Sequence, residues 1–162
     1  MEGGKKPWSL KEAKIKLAAF CAYQERCQQE ARERLADKGI FGDDAEQLIV
    51  QMIEEGFINE DRFARAFARG KFRLKKWGRH KIQQELSRRN ISSNCLKSAM
   101  KEIDEEEYWE TLLAIAEKRV QSGRGKEAFV LRQQSYQYLL SRGYESSLIE
   151  EALKEVFSKQ NF

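Results

Sequence analysis

The sequence predicts an all-α protein built as three tandem three-helix repeats that form an elongated, curved array. Three observations carry this. The 162 residues include a single proline, and 35% are charged. Ala, Glu, Lys, Arg and Leu are frequent, a composition that suits long helices. Three stretches align without gaps, anchored on Leu35, Leu86 and Leu139, and a repeat of this period marks tandem modules. Strand alternation and hairpin turn pairs are missing from the pattern.

The elements follow in order. Residues 1–8 read as a flexible tail. Repeat 1 spans 9–56: Ser9 with Glu12 opens a helix whose body runs from Leu10 to Gln24. Leu35 then leads through Gly39-Ile40 to Ala45, Leu48, Ile49 and Met52. Repeat 2 spans 57–103. Asn59 caps its first helix, with Glu60 and Asp61 placed for the helix dipole. Leu86 leads through Asn90-Ile91 to Leu96, Ala99, Met100 and Ile103. Repeat 3 spans 104–162 and opens on Glu105, Glu106 and Glu107. Leu139 leads there through Gly143-Tyr144 to Ile149, Ala152, Leu153 and Val156. Gly39, Asn90 and Gly143 stand where a helix should end in a left-handed residue, and the apolar residue after each fits such a cap. Asp43 with Glu46 and Ser147 with Glu150 resemble capping boxes for the last helices of their repeats. With modules this small and this charged, limited burial between modules and hinging at their borders are expected.

Composition excludes several classes. No apolar run approaches the roughly 18–20 residues of a membrane helix, and Met1 to Trp8 does not resemble a secretory signal. Cys21, Cys27 and Cys95 form no C-x-x-C pair. That argues for a reducing cytoplasm and against a disulfide scaffold or structural zinc. Cys21 and Cys95 are expected to fill core, as is Trp109. His80 is the only histidine and reads as an ordinary surface or capping residue.

Net charge is +4, but the distribution is uneven. Asn59 to Asn90 carries eleven Lys and Arg against three acids, a net +8. Phe41 to Ile58 has five acids and no base. Within the basic segment, Phe63, Phe67, Gly70, Leu74 and Trp77 form one helical stripe, the expected core face. Arg62, Arg65, Arg69, Arg73 and Lys76 fall within about 80° of one another on another face. Like charges at this spacing repel, so the stripe calls for a polyanion or an acidic surface to relieve it. Phe72 lies beside this stripe. There it could stack on a base or fill a partner's pocket, or it could pack on a neighbouring module. The five stripe residues are the leading candidate contacts for such a partner, and Lys81, Arg88 and Arg89 are secondary candidates. Phosphate-binding loops, dinucleotide fingerprints and a nucleophile elbow are missing. The reading is a non-enzymatic binding protein that needs no cofactor or metal.

One stretch carries a family resemblance. Gly56-Phe57-Ile58-Asn59-Glu60-Asp61-Arg62-Phe63-Ala64 is followed by Gly78, Lys81-Ile82, Glu85-Leu86 and Arg89-Asn90-Ile91. This resembles the signature of the RecX family of bacterial recombination regulators, with Asn90 in place of the usual cap glycine. The resemblance implies three three-helix modules and control of the RecA recombinase. It implies binding to RecA and its single-stranded-DNA filament, with inhibition of ATPase, strand-exchange and coprotease activities. A cytoplasmic monomer without membrane contact is expected. The alternative is a sequence-independent helical module that acts on DNA directly.

Overall fold

A computed structural model describes residues 6–159. The expectations that fall on residues 1–5 and 160–162 lie outside the described residues. Among the described residues all regular structure is helical: α1 (Leu10–Tyr23), α2 (Gln28–Asp37), α3 (Gly42–Glu54), α4 (Glu60–Lys75), α5 (Arg79–Arg88), α6 (Ser93–Met100), α7 (Glu105–Ser122), α8 (Ala128–Ser141) and α9 (Ser146–Lys159). They pack in threes, α1–α3, α4–α6 and α7–α9.

Local sequence explains most helix ends. Ser9 Oγ accepts from Glu12 N–H at 3.1 Å, Asn59 Oδ1 from Arg62 N–H at 2.8 Å, and Asp104 Oδ2 from Glu107 N–H at 2.9 Å. Each bond satisfies an amide that the first turn leaves without an intrahelical partner. The repeated turn takes one form three times. Gly39, Asn90 and Gly143 have φ of +82°, +59° and +99°. The next residue's N–H returns to the carbonyl five back: Ile40 to Leu35 at 2.9 Å, Ile91 to Leu86 at 3.2 Å, Tyr144 to Leu139 at 3.3 Å. Ile40, Ile91 and Tyr144 are all buried, as this cap's hydrophobic contact requires. Two expected capping boxes do not form. α3 starts at Gly42 after Phe41, so Asp43 falls inside the first turn, where its charge meets the helix dipole. α9 starts at Ser146, so Ser147 is already helical.

Two cores hold the chain. Leu17, Leu35, Ile49, Met52 and their neighbours fill the first module. A second core runs without a break through both other modules, from Phe63 and Ile82 to Leu139 and Leu153. The expected sparse burial between modules is therefore corrected for the second border. Gly78 N–H donates to Arg142 C=O at 2.8 Å and His80 N–H to Gly143 C=O at 2.9 Å. Tyr144 Oη donates to Lys76 C=O at 2.8 Å, and the Arg142 guanidinium reaches Lys75 C=O. Tyr108 lies between Phe72 and Tyr144, with ring centroids 5.8 and 5.2 Å away. The first border is built from charge: Arg62–Glu25 at 2.7 Å and Arg89–Glu30 at 3.9 Å, with Cys27 seated in the second core.

The tail is docked where it is described. Trp8 packs on the first core, and its N–H donates to Lys38 C=O at 3.1 Å. Lys38 is the repeat equivalent of Arg142. The tail thus makes on module 1 the backbone bond that Gly78 makes on module 3. Lys16, Arg34 and Lys38 place their charges 5.8, 5.4 and 5.4 Å from the Trp8 ring.

Candidate functional site

α4 turns a different face inward from the one its large residues suggest. Phe63, Ala64, Ala68 and Phe72 are buried, whereas Phe67 and Trp77 are half-buried and Leu74 is 83% exposed. The expected core stripe is corrected at Leu74, while Phe63 is buried and Phe67 and Trp77 pack partly buried on the second core. Ala64 and Ala68, one turn apart, let α6 lie close against α4, and Phe72 continues that line onto Tyr108. Phe72 is 5% exposed, so it is not a surface contact. Of the two readings left open for it, packing on the neighbouring module holds.

The basic stripe divides into two halves. Arg62 donates to Glu25 at 2.7 Å and to the carbonyls of Gly56 and Phe57 at 3.0 and 3.3 Å. Arg65 bridges Asp61 at 2.7 Å and Glu102 at 3.1 Å, and Arg69 meets the other Glu102 oxygen at 2.6 Å. Hydrogen bonds from Arg69 and Arg65 hold the Glu102 carboxyl below its ordinary range. The Arg65 hydrogen bond, with one from Ser98, does the same for Asp61. The acidic surface that relieves these arginines is thus supplied by the chain itself. Arg73 and Lys76 are exposed, and Lys76 ends α4 at φ +59° with its Nζ 3.2 Å from Arg73 C=O. They line a groove of about 390 Å³ between α4 and α7, together with Phe72, Glu107 and Glu110.

The secondary positions also separate. Arg88 reaches Glu85 at 2.9 Å. Arg89 takes Glu85's carbonyl at 2.9 Å and lies 4.9 Å from the Phe67 ring. Lys81 sits 4.7 Å over the Trp77 ring, with Lys71 on the same ring at 5.0 Å. The contact of Lys71 with the partly buried Phe67 and Trp77 rings was missed. The signal available was two lysines placed to reach one tryptophan across the α4–α5 turn. His80 is exposed, Cys21 is buried and Cys95 is only partly buried, its Sγ 3.6 Å from Glu60. Trp109 packs partly buried on the second core. Among the described residues there is no group of three metal-ligating side chains, and no helix is long and apolar enough to cross a membrane.

Comparison with known proteins fits this geometry. The model of the second three-helix domain of RecX matches residues 59–100, and that of the third matches 105–153. Together they cover more than half of the chain. The chain belongs to the RecX family. It is 31% identical over 122 residues to the regulatory protein RecX of Clostridium perfringens strain 13, covering 74% of this chain and 57% of that protein. It is 30% identical over 143 residues to RecX of Halalkalibacterium halodurans, covering 87% and 53%. The chain thus spans a little over half the length of the curated relatives it matches. A crystal structure of RecX from Lactobacillus salivarius superposes with a TM-score of 0.78 at 20% identity, over 91% of this chain and 96% of that one. That likeness bears on the fold, which in this RecX-family chain is the expected set of three-helix repeats.

Proposed function

We propose that this chain is a non-enzymatic regulator of the RecA recombinase. It binds the recombinase and its single-stranded-DNA filament, and inhibits ATPase, strand exchange and coprotease activity. The observation that carries this reading is the exposed cationic end of α4. Arg73 and Lys76, with Lys75 between them, are exposed on the family-matched second module, while Arg62, Arg65 and Arg69 are committed to internal carboxylates. Glu107 and Glu110 line the same groove as Arg73 and Lys76. A surface of mixed charge suits a protein partner better than a row of phosphates.

The test is the triple variant Arg73→Glu, Lys75→Glu, Lys76→Glu. It should lose inhibition of the recombinase ATPase while keeping wild-type helicity. Wild-type inhibition by that variant refutes the assigned surface. The second reading, direct action on DNA, draws on the net +8 of residues 59–90. It requires tight binding to bare DNA with a steep loss of affinity as salt rises.

A further inference from the structure

The face of α4 that carries Phe67, Gly70 and Leu74 is only partly covered: Phe67 packs partly buried on the second core, whereas Leu74 is exposed. This face forms one wall of an open cleft of about 350 Å³ between the first two modules, with Lys71, Lys75 and Arg89 at its edge. The apolar side chains here are large, yet Leu74 is 83% exposed and nothing lies within 4 Å of where a Gly70 side chain would begin. Exposed leucine beside a partly buried aromatic is costly in water, and is a mark of surfaces that meet a partner. The cations around it are held in place. Lys71 stands 5.4 Å from the Phe67 ring and 5.0 Å from the Trp77 ring, and Arg89 stands 4.9 Å from Phe67. Cation–π contact orders these cations before any partner arrives, which lowers the entropic cost of binding.

We infer that this cleft docks an acidic segment of the recombinase that carries an apolar anchor. The anchor lies over Gly70 between Phe67 and Leu74, and its carboxylates face Lys71 and Lys75. The inference rests on the regulatory reading above and adds where the protein partner sits. Charge complementarity selects an acidic partner: in the lining Glu25 is paired with Arg62 and Glu30 with Arg89, which leaves Lys71 and Lys75 beside an apolar floor. Two features favour a polypeptide over a nucleic-acid strand. Glu25 and Glu30 line the cleft on the module 1 side and would face a phosphate backbone, whereas an amphipathic peptide can turn its polar edge away from them. Lys71 and Arg89 already lie over the Phe67 ring, which leaves little of it for a stacked base. This site lies on a different face of α4 from Arg65 and Arg69.

The experiment places the photoreactive residue p-benzoyl-phenylalanine at position 74 and irradiates the full chain with RecA filaments on single-stranded DNA. Because Leu74 is exposed, the fold should be unaffected. The expected result is a cross-link to a recombinase peptide rich in Asp and Glu. In parallel, Lys71→Glu with Leu74→Asp should weaken filament binding at least tenfold and leave bare-DNA binding within twofold. A cross-link to DNA, a cross-link to a peptide without acidic residues, or filament binding with no cross-link overturns the docking site while the regulatory reading stands. Failure of the wild-type chain to bind the filament at all overturns both.

Discussion

Gly78 and Gly143 meet backbone to backbone where the second and third modules join. A side chain on Gly78 would run into the Gly143 carbonyl group, and one on Gly143 would meet Lys81 Cβ at 2.5 Å. The flanking bonds, Gly78 N–H to Arg142 and His80 N–H to Gly143, are 2.8 and 2.9 Å long. Gly78 has φ −78°, so it is present for space and not for backbone freedom.

Gly78→Ala should therefore destabilise the protein through overpacking by roughly 1–3 kcal/mol. Urea denaturation checks this. Because one core spans both modules, the loss should register in probes of either module together.

Tyr108 links that joint to its polar network. Its hydroxyl donates to Glu145 at 2.5 Å and accepts from Arg79 N–H at 3.0 Å, and Arg79 also pairs with Glu145 at 2.9 Å. Tyr108→Phe leaves the partly buried Arg79 amide without its acceptor and should cost about 1–3 kcal/mol. Burial and the Glu145 hydrogen bond push the Tyr108 hydroxyl well above its ordinary range, so it stays protonated across the physiological span.

Glu145 gives a pH dependence. Burial acts to raise its pKa, but the bonds from Tyr108 and Arg79 outweigh burial and leave it below the ordinary value of 4.5. A carboxylate depressed in the folded state adds stability above its unfolded pKa, and that stability is lost as pH falls through the lower folded value. The wild type should lose more stability between pH 6 and pH 3 than Glu145→Gln, which has no charge there to lose. Thermal melts at the two pH values measure the difference.

The corrected face of α4 separates two neighbouring residues. Phe72→Ala empties a buried position against Tyr108 and should cost about 3–5 kcal/mol. Leu74→Ala should stay within about 0.5 kcal/mol of wild type. Equal losses at both positions would contradict the observed burial.

Glu102 holds two arginines away from any external anion. Glu102→Gln should free Arg65 and Arg69 in part. Polyanion affinity should then rise, and the salt dependence of binding should steepen by roughly 0.7 unit of log–log slope per cation released to a single-strand phosphate. Fluorescence anisotropy with single-stranded oligonucleotides at several salt concentrations reads this directly.

These residues also mark what a sequence shows and what it hides. The repeat was legible because its turns are local: a left-handed Gly39, Asn90 or Gly143 and the apolar residue after it lie within a few positions of the helix they end. The phase of α4 was not. Phe63-Phe67-Leu74-Trp77 and Ala64-Ala68-Phe72 both satisfy helical periodicity, and only close packing with α6 selects the smaller residues. The arginine stripe is real as a pattern. However, Glu25 and Glu102 reach it from other elements, and no local reading reveals such partners. The joint between the second and third modules was invisible for the same reason, since Gly78 and Arg142 come from different repeats.

The most direct test of the regulatory reading is the ATPase rate of RecA on single-stranded DNA, titrated with this protein. Inhibition at well below one molecule per recombinase subunit is the result the reading predicts. An unchanged rate, with tight and salt-sensitive binding to bare DNA, would contradict it and favour direct action on DNA.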